Sequence, residues 1–168
     1  TYRDAIQYIH DQTIRLMNEG YYPDEISEMI ELPQNLSSSP FLYEFYGTVR
    51  WSVKSIFNGY LGWFNGNPAE LDPLSRKEKA KRISKLAGGE NELIKELRLA
   101  VDKEDMQWAL ELSDYLISLD LYDSEIKTLR QKALIHEGAK SSNPNKRNYF
   151  LSSALELNDE FELTNLMN

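Results

Sequence analysis

Catalysis needs reactive side chains brought together, and this chain offers few of them. It holds two histidines, His10 and His136, and no cysteine. Without cysteine there is no thiolate nucleophile, no disulfide and no thiolate metal site. His10 precedes Asp11, but consecutive residues on a helix point about 100 degrees apart. The pair therefore reads as neither metal-ligating nor catalytic, and His10 is expected as a hydrogen-bonded core or interface residue. The sequence contains no two-histidine zinc motif, no Gly-Lys phosphate loop and no nucleophile elbow. Its carboxylates are scattered over polar faces, as solvated helices require. No catalytic residue and no metal ligand is assigned.

One stretch does carry binding chemistry. Phe45-Tyr46-Gly47-Thr48 is followed by Tyr60-Leu61-Gly62-Trp63-Phe64-Asn65-Gly66-Asn67-Pro68, with Trp51 and Phe57 between. Phenol and amide groups beside glycine backbone suit an anion or the lining of an apolar channel. The candidate substrate-binding residues are Tyr46, Gly47, Thr48, Tyr60, Trp63 and Asn67. The same aromatic density also suits a tightly packed core corner. On that reading backbone approaches closely at Gly47 and Gly62, and neither tolerates a side chain.

The elements that must position these residues are helices. Apolar residues recur at helical spacing from Tyr2 to Asn18, and Gly20 follows where a helix C-terminus wants a left-handed residue. Tyr22-Pro23-Asp24-Glu25 reads as a helix start, and Pro33 to Pro40, with Ser37-Ser38-Ser39, reads as a loop. A helical pattern runs from about Leu42 to Tyr60, as one helix or as two broken at a glycine, Gly47 or Gly59. Asn65-Gly66-Asn67-Pro68 and Asp72-Pro73 are turn chemistry. Ser75 with Glu78 predicts a capping box for a helix through Leu86 that ends at Gly88-Gly89. Further helices are predicted over residues 91–102, 105–119 and 123–138, with a last one from Pro144 to Leu157 and an acidic tail beyond Asp159 that frays or leads onward. Short connections make neighbours antiparallel. Small residues such as Ala109 and Ala133 suit close crossings. The fold class is all-α, antiparallel helical hairpins in a tetratricopeptide-like right-handed stack, although the full repeat signature is absent.

The 168 residues fit one domain, 1–168. A net charge of −8 argues against a nucleic-acid partner or an anionic membrane surface, and no apolar run is long enough for a membrane span. Arg76, Lys77, Lys79, Lys81, Arg82 and Lys85 crowd together, but Glu78 interrupts them and no aromatics interleave, so they read as a solvated helix face. The chain begins with Thr1 inside a helical pattern, which reads as a piece of something longer.

Several blocks resemble the bacterial alkyl sulfatases, in the helical module that follows their metallo-β-lactamase-like catalytic domain. They are Tyr8-Ile9-His10-Asp11-Gln12-Thr13-Ile14-Arg15-Leu16-Met17-Asn18, Tyr46-Gly47-Thr48, Tyr60 to Pro68, Leu86-Ala87-Gly88-Gly89, and Arg147-Asn148-Tyr149-Phe150-Leu151 with Ala154-Leu155-Glu156-Leu157. The resemblance implies a homodimerisation module that lines the active-site entrance, packed on the catalytic domain of its own chain. The parent would be a soluble bacterial hydrolase, cytoplasmic or exported, acting on primary alkyl sulfates. It would use two zinc ions held by the catalytic domain, with a sterol-carrier-like domain after the module. This segment itself would hold no cofactor. Where the family commonly has a His-Asn pair, this chain has Trp51-Ser52; Tyr43-Glu44 replaces a usual Arg-Gly, and Asn65 a usual aspartate. A histidine facing the sulfate at that position would have no counterpart here. The other reading, from a different class, is a tetratricopeptide-like interaction module without a sulfatase context.

Overall fold

The computed structural model describes residues 2–157. Among them no strand forms, and the chain divides into two compact units between Pro73 and Leu74.

The first unit contains α1 (Tyr2–Asn18), α2 (Pro23–Met29), α3 (Gln34–Ser37) and α4 (Val49–Leu61), with 3-10 turns at Pro40–Leu42 and Pro68–Glu70. Gly20 ends α1 in the left-handed region at φ 89°. Pro23 opens α2, where Glu25 accepts the Tyr22 N–H at 2.8 Å. Leu16, Ile26, Ile30, Val53 and Phe57 form a small core from α1, α2 and α4. Two ion pairs, Lys54 with Asp24 and Arg50 with Glu28, also tie α4 to α2.

Several expectations fail in this unit. The Pro33–Pro40 loop contains the short helix α3. Helix does not begin at Leu42: Tyr43 to Thr48 is irregular and α4 starts at Val49. The physical reason is capping, because Thr48 Oγ1 accepts the Trp51 N–H at 3.0 Å and Glu44 Oε1 accepts the Val49 N–H at 2.7 Å. Gly59 does not break α4, which runs on to Leu61. A Cβ at Gly47 or Gly62 would meet nothing within 4 Å, so neither is a site of close approach. Gly62 is required for another reason: it takes φ 78° as the C-cap of α4.

The second unit stacks α5 (Arg76–Ala87), α6 (Glu90–Asp102), α7 (Met106–Ser118), α8 (Ser124–Lys140) and α9 (Pro144–Leu155). Each packs on the next through a short connection, so neighbours are antiparallel. Alternate helices also touch, α5 with α7 and α6 with α8, as in a stack of hairpins. Leu93, Leu97, Ala100, Val101, Leu112, Leu116 and Ile126 are among the residues of one continuous core. Ala109 and Ala133 are fully buried within it, which lets the helices cross closely. Ser75 caps α5 by accepting the Glu78 N–H, while the Glu78 carboxylate pairs with Lys81 instead of completing a capping box. The basic residues of α5 are exposed, as a solvated face requires.

The close backbone approach lies at a glycine the sequence does not single out. A Cβ on Gly138 would sit 2.8 Å from Leu151 Cδ2 and 3.4 Å from the Arg147 carbonyl oxygen. Gly138 is what brings α8 onto α9. The acidic tail beyond Asp159 lies outside the described residues.

Three substitutions test this packing by urea denaturation. Gly138→Val should lower stability by about 1–3 kcal/mol through overpacking. Gly62→Ala should cost about 1–2 kcal/mol because of its left-handed backbone. Gly47→Ala should stay within about 0.5 kcal/mol.

Candidate functional site

The aromatic stretch is not a core corner. Of its members only Phe57 is buried, at 3% exposure, whereas Phe45, Tyr46, Trp51, Tyr60 and Trp63 all stand in solvent, Trp63 at 74%. The reason is local. Helix α4 has one inward face, Val53 and Phe57, and the residues before and after it lie on irregular chain that passes outside the small core.

The structure brings together half of the predicted binding residues. Tyr46, Gly47 and Thr48 line an open groove of about 340 Å³ in the first unit. Its other walls include Tyr2, Ile6 and Ile9 of α1, Phe41, Tyr43 and Phe45 of the irregular segment, and Ser52 of α4. Composition makes the groove mainly apolar and aromatic. Its polar groups are largely engaged. Thr48 Oγ1 caps α4, and Ser52 Oγ donates to the Thr48 carbonyl at 2.9 Å. The Glu44 carboxylate sits on the Val49 N–H, at the positive end of the α4 dipole. The helix end therefore already holds an anionic group, which opposes a second anion at that spot.

Tyr60, Trp63 and Asn67 do not line the groove. Asn67 serves its turn: its side chain accepts the Ala69 N–H at 3.1 Å, and its own N–H donates to Asn65 Oδ1 at 3.0 Å. Asn65 in turn donates to Glu70 at 2.7 Å. Trp63 meets Phe64 ring to ring at 5.7 Å, tilted. Gly66 takes φ 97° and lies against the Tyr22 ring.

Tyr60 belongs to a chain of polar groups in which His10 is hydrogen-bonded, as the sequence leads one to expect of it. His10 Nδ1 lies 3.0 Å from Asp11 Oδ1, and His10 Nε2 lies 2.9 Å from the Tyr60 hydroxyl. The backbone directions at residues 10 and 11 diverge, but side-chain rotation on an exposed helix surface closes the gap, so adjacency does pair them. With Asp11 ionised, Nδ1 carries the hydrogen and donates to it. Nε2 of the neutral ring then accepts from Tyr60. The signal that would have found this link is the helical register: His10 on α1 and Tyr60 on α4 flank the faces that build the core. The sequence reading also missed the groove walls Ile6, Phe41 and Tyr43.

Among the described residues no group of three or more histidine, aspartate or glutamate side chains could hold a metal ion. No helix among the described residues is long and apolar enough to cross a membrane.

Comparison with known proteins agrees with this architecture. The alkyl sulfatase dimerisation family matches residues 22–160. The chain is 46% identical over 161 residues to a linear primary-alkylsulfatase from Pseudomonas sp., covering 95% of this chain and 30% of the relative. It is 32% identical over 156 residues to an (R)-specific secondary-alkylsulfatase from Pseudomonas sp., covering 92% of this chain and 24% of the relative. Among solved structures, it is similar to the stereoselective inverting sec-alkylsulfatase Pisa1 from Pseudomonas sp., with a TM-score of 0.84 and 30% identity, over 94% of this chain and 25% of that one. The chain thus spans less than a third of the length of these relatives. With all-helical units, exposed aromatics and a match over most of its length, this chain belongs to the alkyl sulfatase dimerisation family.

Proposed function

We propose that residues 1–168 act as one module of a zinc-dependent alkyl sulfatase, holding two copies of the parent together and closing part of the entrance to its active site. The parent hydrolyses primary alkyl sulfate esters to the alcohol and inorganic sulfate. The observation that carries this reading is the 46% identity to a linear primary-alkylsulfatase over nearly the whole chain, against 32% to the (R)-specific secondary-alkylsulfatase. In this reading the two zinc ions are held by the catalytic part of the parent, and that catalytic part packs on this module.

Within the module, Tyr46, Gly47 and Thr48 form the edge that faces the substrate. Tyr46 is 73% exposed, which leaves most of its ring open to a neighbouring domain or substrate. Tyr60, Trp63 and Asn67 contribute at a distance. Asn67 and Tyr60 hold their segments through the turn and the His10 link, and Trp63 offers an exposed indole. Trp51 supplies no imidazole to a sulfate.

The test is release of sulfate from dodecyl sulfate by the intact protein, with zinc and again after chelation. Zinc-dependent release is expected; none from a folded, zinc-loaded protein sinks the sulfatase reading. Tyr46→Phe should fold normally and lower turnover in the intact enzyme, and equal steady-state rates would remove Tyr46 from the site. Tyr60→Phe removes one exposed hydrogen bond to His10. It should cost about 0.5–1.5 kcal/mol in denaturation and change the His10 ring nitrogen shifts seen by NMR.

A further inference from the structure

Charge is unevenly placed along this chain. Residues 1–73 hold four lysines and arginines against ten carboxylates, whereas α5 alone holds six against Glu78. All six, Arg76, Lys77, Lys79, Lys81, Arg82 and Lys85, are exposed. Lys77 pairs with Asp120 just beyond α7, and Lys81 pairs with Glu78. Arg76, Lys79, Arg82 and Lys85 make no ion pair among the described residues. Packing of the second unit does not use them, because α5 buries Ala80 and Ser84 instead.

Exposed cations alone are ordinary, since water solvates them well. What sets this helix apart is Leu86, which is 84% exposed. Lys79, Arg82 and Leu86 are spaced i, i+3 and i+7, so they fall on one stripe of α5, and Lys85 adjoins Leu86 in the chain. The stripe offers cations to anionic head groups and one apolar side chain to the hydrocarbon beneath them. A single alkyl sulfate ion presents one head group and engages little of it. A surface of assembled alkyl sulfate presents many, and each lysine or arginine near an anionic surface strengthens binding about fivefold. The net charge of −8 conceals this helix, because charges more than about 8 Å away are screened at physiological ionic strength. One exposed leucine is too little for insertion, so such binding is reversible and salt-dependent.

We propose that α5 is where the protein rests on an anionic amphiphile surface, with Lys79, Arg82 and Lys85 against the head groups and Leu86 against the hydrocarbon. The occupant is the assembled form of the alkyl sulfate substrate. The inference rests on the sulfatase reading and adds to it a surface separate in sequence from Tyr46, Gly47 and Thr48, one that collects substrate and takes no part in its hydrolysis.

Co-sedimentation of the intact protein with phosphatidylcholine vesicles that carry hexadecanesulfonate tests this, because the sulfonate keeps an anionic head group and offers no ester to hydrolyse. The wild-type protein should bind them, and less so as salt rises. Lys79→Glu combined with Arg82→Glu should weaken binding at least about tenfold. Its melting temperature, and its sulfate release from dissolved monomeric dodecyl sulfate, should be unchanged. Leu86→Ser should weaken binding about threefold, the effect of partly burying one side chain. Lys132→Glu combined with Lys140→Glu makes the same charge change at exposed positions of α8 and should leave binding within about twofold. Equal loss in that control overturns the assignment to α5, and binding that Leu86→Ser leaves unchanged overturns the amphiphile as occupant. Stronger binding to phosphatidylserine vesicles of equal charge overturns it in favour of a lipid bilayer. A lowered melting temperature of the α5 variant means that another part of the parent covers the stripe, which also overturns it. A wild-type protein that releases sulfate yet ignores the vesicles sinks the inference alone. Vesicle binding without any sulfate release removes the sulfatase reading, and with it the substrate as occupant.

Discussion

The first unit depends on the burial of Val53 and Phe57 against Leu16, Ile26 and Ile30. With the half-buried Tyr8, Ile9, Met17 and Val49 packed against them, these side chains are the small core that α1, α2 and α4 share. Each full burial of such a residue stabilises by about 1.5–3 kcal/mol, and the backbone of α4 must be ordered to achieve it. The caps at its start serve that end. Thr48 and Glu44 satisfy N–H groups that would otherwise be orphaned, and they fix where helix gives way to irregular chain. The groove lies beside that junction. Its position follows from the capping more than from any property of the aromatic residues that line it.

A small core leaves much apolar surface of the first unit outside it. Phe41 stands on a 3-10 turn and Tyr43 follows it, both exposed outside the core. The second unit is built the other way. Its core is continuous across five helices, closed by small residues at Ala109, Ala133 and Gly138, and its surface carries ion pairs such as Arg98 with Glu125 between α6 and α8. Arg98 holds the Glu125 carboxyl below the usual glutamate range. That link is intact at neutral pH and is lost as the pH falls through the lowered value.

Among the described residues no group of three or more histidine, aspartate or glutamate side chains could hold a metal ion. Asp11, His10 and Tyr60 form a chain of polar groups on the surface of the first unit. The Tyr60 hydroxyl is tied to His10 through that chain. That separates Tyr60 in role from Tyr46, although the two tyrosines carry the same chemistry in the sequence. The membership of this chain in a dimerisation family accords with such a surface: contact areas need exposed aromatics and satisfied backbone, not tuned ionisable groups.

Helix type and order were legible in the residues alone. Apolar spacing at Leu93, Leu97 and Val101, punctuation by Gly20 and Gly88, and starts at Pro23, Ser75 and Pro144 are local signals, and local sterics and hydrogen bonding decide them. The family was legible too, because Tyr60 to Pro68 is a distinctive block. Tertiary structure alone decided which side of each aromatic residue meets solvent. Burial depends on what other elements arrive, and spacing carries no record of that. Hence a core corner was expected where an open groove exists, and close approach was expected at Gly47 and Gly62, although it occurs at Gly138, where α9 happens to cross α8. The pairing of His10 with Tyr60, fifty residues apart, likewise arises only when α1 and α4 share a core. Sequence determined the elements, and packing decided the surfaces they present.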